Sequence, residues 1–152
     1  FSDIAAQQVV YGLRGVVNEG TGRALAARFG KDRLAGKSGT TNDYRDSWFV
    51  AFDARQVVTV WVGRDDNKPV LLTGSSGALP VVGEVFAQTG ILPLTIQLPE
   101  ALTMQNYHRD LGVLIPLDCA EGRLLPGLTR AVPERQTCAG TVREEKWWER
   151  WF

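Results

Sequence analysis

The chain has 152 residues, 44% hydrophobic and 22% charged, a composition that supports a packed core and excludes both a disordered chain and a coiled coil. Lys plus Arg is 17 and Asp plus Glu is 17; division at Leu92 leaves ten basic against nine acidic residues, then seven against eight, so no basic half offers itself to a nucleic acid. The longest apolar run, Val57-Val-Thr-Val-Trp-Val62, falls far short of the roughly 20 residues that span a bilayer.

The chain opens on Phe1 without Met, a basic leader or a signal-like apolar stretch, and it reads as a segment of a longer polypeptide. Ile4, Val9, Leu13 and Val16/Val17, widened by Ala6 and Val10, predict a helix over residues 1–17, capped at Ser2 and stopped by Asn18-Glu-Gly-Thr-Gly22. A short second helix is expected over Arg23 to Phe29, closed by Gly30. Leu34 to Thr41 is a candidate strand with small residues where something must approach the backbone. Ser47 to Phe52 and Val57 to Val62 are β-branched and aromatic, and the four residues between them suit an antiparallel hairpin. Trp48, Val50 and Phe52 are expected to form the core face of the first strand, with Val58, Val60 and Val62 sharing a face of the second. Gly74-Ser-Ser-Gly77 predicts a loop, and Val82, Val85 and Phe86 predict a helix from Val81 to Thr89, ended by Gly90.

Five of the seven prolines then fall within residues 93–133, and that segment predicts an irregular or short-stranded appendage. The division expected is therefore 1–92 and 93–152. Trp147, Trp148, Trp151 and Phe152 form i,i+4 pairs in a charge-balanced end, which predicts a helix packed on the appendage. His108, the single histidine, suits a surface or capping role better than that of a base, and two cysteines with one histidine are too few for a zinc site. No metal and no cofactor is expected.

Gly36-Lys-Ser-Gly-Thr-Thr41 carries the most chemistry. A phosphate-binding loop needs G-x-x-x-x-G-K-[ST] between a strand and a helix; here five residues, not four, separate Gly30 from Gly36, and a turn-like Asn-Asp follows. The other chemistry of a Lys-Ser pair beside glycine is the K-[ST]-G box of penicillin-interacting serine acyltransferases. There a strand edge offers its main chain to an extended peptide, the ammonium attracts a carboxylate, hydroxyls hold that carboxylate, and glycine removes an obstructing side chain. Taken alone, Lys-Ser-Gly-Thr is more often a surface turn.

It is not alone. Leu34-Ala-Gly-Lys-Ser-Gly-Thr-Thr-Asn-Asp-Tyr-Arg-Asp-Ser-Trp-Phe-Val-Ala-Phe52, Val58-Thr-Val-Trp-Val-Gly-Arg-Asp65, Val16-Val-Asn-Glu-Gly-Thr-Gly22 and Gly74-Ser-Ser-Gly-Ala-Leu-Pro80 together resemble the C-terminal part of class A, bifunctional penicillin-binding proteins over about residues 5–90. Trp61-Val-Gly-Arg-Asp65 and the Cys-bearing appendage narrow the resemblance to one branch of that class.

The resemblance implies an α/β fold, with an antiparallel sheet flanked by helices. Three strands are expected between about Arg33 and Gly63, with one helix before and one after. The two N-terminal strands of the family's usual sheet would be absent, leaving an unnatural edge or an uncovered face. It implies serine acyl transfer onto peptidoglycan stem peptides in a parent that is also a glycosyltransferase, inhibition by β-lactams, and no cofactor. The parent would be anchored at the periplasmic face of the bacterial inner membrane, with an outer-membrane lipoprotein activator and division or elongation proteins as partners. Lys37 would lie near the nucleophile, Ser38 and Thr40 would bind the substrate carboxylate, Gly39 would clear the way, the Thr40 N–H would form half of an oxyanion hole, and Thr41 would line the site beyond. The family usually has Thr where this chain has Ser38; the hydroxyl is kept. In an oxidising periplasm Cys119 and Cys138 would pair.

The nucleophile itself is missing. Three positions before Lys31, Lys37, Lys68 and Lys146 stand Arg28, Leu34, Asp65 and Arg143, so no S-x-x-K is present; no Asn lies two positions after any serine, so no S-x-N is present either. The competing reading for the chain alone is a non-catalytic module that binds peptidoglycan or an activator.

Overall fold

Helix α1 (Asp3–Asn18) starts where Ser2, in extended conformation, accepts a hydrogen bond from the Ala5 N–H at 3.3 Å, satisfying one of the donors a helix start leaves open. It stops where the Val16 carbonyl accepts from both Gly20 N (3.1 Å) and Gly22 N (2.9 Å). Helix α2 (Arg23–Phe29) follows and is closed by Gly30 at φ 95°, a conformation that favours glycine. Asn18 and Asp32 exchange hydrogen bonds of 2.8 and 3.0 Å, and Arg14 pairs with Asp32 at 2.7 Å, tying the end of α1 to the turn that launches the sheet. These are features of a computed structural model that describes residues 2–129 and Cys138. The Trp-rich end, for which a packed helix is expected, lies outside the described residues.

The chain divides into two compact units, at Gln97/Leu98. In the first, β1 (Ala35–Thr40), β2 (Ser47–Phe52) and β3 (Val57–Val62) form an antiparallel sheet in the order β1-β2-β3. Two helices precede it, as the residue pattern predicts; the resemblance implied one. Among the described residues no further strand pairs with the outer edges of β1 and β3.

The predicted core face of β2 is reversed. Ser47, Phe49 and Ala51 are wholly buried, while Trp48 is 41% exposed and Val50 and Phe52 are half-buried. The cause is register. The connection pairs Phe52 with Val57, so an odd position on β2 shares a face with an even position on β3: Phe49 faces Val60, and Ala51 faces Val58. Val58, Val60 and Val62 do pack on the core, and Phe49 and Ala51 are the β2 residues that join them. Trp48 instead meets Trp61 across the strands, with ring centroids 6.2 Å apart.

Helix α3 (Leu79–Thr89) lays Leu79, Val82 and Phe86 on the core face of the sheet with Leu25 and Ala26 of α2 and Val17 of α1. Each large apolar side chain so buried contributes about 1.5–3 kcal/mol. The residues expected to be a loop, Gly74–Ala78, are a π-helical turn running straight into α3. Thr73 starts it with a reciprocal cap: its hydroxyl accepts from Ser76 N at 3.2 Å, and its own N–H donates to Ser76 Oγ at 2.9 Å. Buried Ser47 holds this turn to the sheet, donating to Thr73 O at 2.7 Å and accepting from Ala78 N at 2.9 Å.

The β2–β3 turn is built on Asp53. Its carboxylate accepts from Arg55 N (2.8 Å), Gln56 N (2.7 Å) and, 39 residues later, Leu92 N (2.8 Å). Burial pushes its pKa up, but these three N–H groups and the Arg55 charge outweigh burial, so the carboxyl titrates below its ordinary value.

The second unit is more regular than its prolines suggest. Strand β4 (Leu102–His108) pairs antiparallel with β5 (Leu114–Ile115) on one side and β6 (Gly122–Leu128) on the other. Pro126 is accommodated because the bonds Thr129 N to Ala101 O (2.9 Å) and Arg109 N to Glu121 O (3.2 Å) make Met104–Pro126 a non-bonded pair of the ladder, so β4 asks no N–H of it. Buried Asn106 donates to Pro116 O (2.8 Å) and Cys119 O (3.1 Å), fixing the loop from which Cys119 reaches Cys138 in a disulfide, with Cα atoms 5.4 Å apart. His108 Nδ1 accepts from Asp110 N (3.2 Å) and Leu111 N (3.4 Å), capping the turn that leaves β4.

Candidate functional site

The Lys-Ser-Gly-Thr run is strand β1. Thr41 N donates to Asp46 O at 3.2 Å, and Asp53 N to Gln56 O at 3.1 Å. Bonded and non-bonded pairs alternate along an antiparallel ladder. Both closures therefore put Lys37–Val50 and Gly39–Trp48 among the bonded pairs. The N–H and C=O groups of Gly36, Ser38 and Thr40 point away from β2; Gly36 is buried, so the accessible part of this edge is Ser38 and Thr40. A row of main-chain donors and acceptors at an unpaired edge is what an extended peptide needs in order to add itself as a strand.

Three side chains border that row. Lys37 is exposed, and its ammonium donates to the outward Ser38 carbonyl at 2.8 Å. The Ser38 hydroxyl lies 2.7 Å from the hydroxyl of Thr21, in the turn between α1 and α2. Thr40 Oγ1 accepts from Gly74 N at 3.0 Å, at the start of the π-helical turn. Gly39 sits across from Trp48, where a Cβ would come within 3.2 Å of the Trp48 Cβ. The edge thus gathers a cation, two hydroxyls and outward N–H groups, a set suited to an anionic end of an extended ligand.

Thr41 is turned elsewhere. Its hydroxyl donates to Asp46 Oδ2 (3.0 Å) and accepts from Asp46 N (2.8 Å), closing the short loop through Asn42–Tyr44. The other Asp46 oxygen accepts from Trp61 Nε1 at 2.8 Å, which ties that loop to β3. Sequence reasoning had passed over Thr21, Asp46, Ser47, Thr73 and Gly74 as site-building residues. Thr21, Asp46, Ser47 and Gly74 lie inside the family-like runs, but their spacing to the box carries no sign of a hydrogen bond.

A family model of the penicillin binding protein transpeptidase domain matches residues 1–89, more than half of the chain, and the chain belongs to that family. It is 40% identical over 148 residues to penicillin-binding protein 1B of Vibrio cholerae, covering 97% of this chain and 19% of that protein. It is 39% identical over 123 residues to penicillin-binding protein 1B of Escherichia coli, covering 80% of this chain and 14% of that one. The narrower likeness drawn from Trp61-Val-Gly-Arg-Asp65 and the Cys-bearing appendage is thus to the 1B branch. The fold matches the crystal structure of penicillin-binding protein 1A from Haemophilus influenzae with a TM-score of 0.70 at 26% identity, over 90% of this chain and 22% of that one. The chain therefore spans about a fifth or less of the length of the curated relatives it matches.

Proposed function

We propose that residues 1–92 are the C-terminal portion of the transpeptidase domain of a bifunctional peptidoglycan synthase, and residues 93–152 an appendage to it. In this reading the parent cross-links stem peptides by serine acyl transfer. A serine oxygen from outside this chain bonds to the carbonyl of the penultimate D-Ala; the bond to the terminal D-Ala nitrogen breaks and that amine leaves with a proton. The acyl-enzyme then passes its acyl group to an amine of a second stem peptide, which restores the serine. Lys37 attracts the substrate carboxylate and tunes proton transfer. Ser38 and Thr40 hold the carboxylate, Gly39 leaves room for it, the Thr40 N–H stabilises the oxyanion, and Thr41 braces the end of the strand. β-Lactams enter by the same route.

The observation that carries the reading is the pair of outward Ser38 and Thr40 main-chain groups beside the Lys37 ammonium. The parent would work at the periplasmic face of the inner membrane, with the appendage offered to an outer-membrane lipoprotein activator or to division or elongation proteins. Among the described residues of this chain no helix is long and apolar enough to cross a membrane.

Fluorescent penicillin followed by a denaturing gel tests this. The complete polypeptide should give a covalent band. The 152-residue chain should give none, because it lacks S-x-x-K and S-x-N. A band from the short chain would reveal a nucleophile within it and overturn these roles; no band from the complete polypeptide would favour the binding-module reading.

A further inference from the structure

We infer that Thr21 is a positioning residue of the box: its hydroxyl donates to Ser38 Oγ and so commits the Ser38 proton to the substrate carboxylate. The inference rests on the transpeptidase reading above and deepens it. A hydroxyl has one proton to give and two lone pairs to offer. To hold a carboxylate, which only accepts, Ser38 must donate. Were its proton spent on Thr21, the oxygen would turn lone pairs toward the anion.

The 2.7 Å contact between the two hydroxyls permits either direction, and the neighbouring hydroxyl shows which state the strand favours. Thr40 Oγ1 accepts from Gly74 N at 3.0 Å, and a main-chain N–H can only donate, so the Thr40 proton is left for an outside acceptor. Thr21 gives Ser38 the same arrangement. Two hydroxyls on alternate residues of β1 then each have a lone pair filled from within the protein and a proton facing the ligand. Each inner donor also polarises the hydroxyl it serves, strengthening what that hydroxyl donates.

Thr21 is held in place for this. The Val16 carbonyl accepts from Gly20 N and Gly22 N on either side of it. Gly22 presses on the core beneath, where a Cβ would come within 3.2 Å of Phe49 Cζ, and Phe49 is the residue paired with Ser38 across the strands. The turn, the core ring and the box residue are thus packed against one another.

The test uses the complete polypeptide. Thr21→Val keeps the shape and removes the donor; acylation by a carboxylate-bearing penicillin should slow about threefold, chiefly through weaker binding before acylation, because Ser38 keeps its proton but loses the neutral hydrogen bond that orients and polarises it. Thr21→Ser should restore the rate. Ser38→Ala should slow acylation, and the double variant should be no slower than Ser38→Ala alone. A penicillin methyl ester, which lacks the anion, should react with wild type and Thr21→Val equally. Thr21→Val acylating at the wild-type rate, equal slowing for acid and ester, or failure of serine to rescue would each overturn the inference while leaving the transpeptidase reading intact. A wild-type polypeptide that takes up no penicillin would overturn both. Melting curves matched to wild type establish that the variants are folded; should Thr21→Val melt early, Thr21→Ser and the acid-against-ester ratio still decide.

Discussion

Gly74 offers a sharp test of how the π-helical turn braces the box. A Cβ there would collide with Trp48 O and stand 2.8 Å from Gly39 O and 2.9 Å from Ser38 Cβ. Two of these are main-chain oxygens of paired strands, so they cannot swing aside as a flexible side chain would. Gly74→Ala must therefore lift the turn from β1 and β2, and the Gly74 N to Thr40 Oγ1 bond goes with it. Overpacking of this kind costs about 1–3 kcal/mol, and the lost hydrogen bond about 1 kcal/mol more. For a unit of this size the midpoint of thermal unfolding should fall on the order of 10–20 °C. Gly12→Ala is the control: nothing lies within 4 Å of a Cβ there, and in an exposed helical turn the change should stabilise by about 1 kcal/mol. Thermal melts of the 152-residue chain followed by near-ultraviolet circular dichroism give both numbers. A Gly74→Ala midpoint equal to wild type would refute the claim that the turn is seated on the strands without slack.

Lys37→Ala in the complete polypeptide should slow acylation by β-lactam and by stem peptide with its melting curve unchanged, since the residue is exposed and acts through charge; unchanged acylation removes it from the mechanism. Lys37→Arg should rescue only in part, because a planar guanidinium places charge differently from an ammonium. Asp53 has a depressed folded pKa, so its stabilisation is complete above the unfolded value of 3.8 and is lost as pH falls through the folded one. Asp53→Asn should thus destabilise at pH 7, by about 1–3 kcal/mol, since the amide sets a donor against an N–H it replaces an acceptor for; urea titrations should also show a flatter loss of stability below about pH 5 than wild type. Alkylation without reductant should leave Cys119 and Cys138 unlabelled in oxidised protein, whereas two labelled thiols would contradict the bond.

Local signals named most elements of the first unit. Ser2 starts a helix through its hydroxyl, and Gly30 and Gly90 end theirs at positive φ; each device depends on one or two residues, so the sequence displays them directly. The face of β2 was not displayed, because Trp48-Phe49-Val50-Ala51-Phe52 is apolar at every position and its period carries no direction. A turn that pairs Phe52 with Val57 nevertheless puts odd positions against even ones, so that Phe49 and Ala51 join Val60 and Val58. The box itself was legible as chemistry, through Lys37, Ser38 and Thr40, but its supports were not. Thr21 lies 17 residues before Ser38, and Gly74 lies 34 residues after Thr40; contacts at such separations follow from tertiary packing, which no local pattern records. In the second unit the short-stranded alternative holds, since Pro126 sits at a non-bonded pair of the β4–β6 ladder, where no N–H is needed.

The packing of the glycines has a bearing on drug escape. A ligand lying along β1 reads mostly main chain, which every amino acid supplies alike. A Cβ on Gly36 would stand 3.0 Å from Phe49 Cε1 and 3.2 Å from Ala51 Cα, and one on Gly74 would meet main-chain oxygens of β1 and β2. Neither can gain a blocking side chain without deforming the strands; Gly39, whose only close neighbour is the Trp48 side chain, is less confined. Ser38 and Thr40 can change, but on the proposed reading each change weakens the natural substrate along with the inhibitor. Selection by a β-lactam would then find little room in the box itself. It would be driven outward, to residues such as Thr21 and Asp46 that set the strand's hydroxyls and loop without touching the ligand.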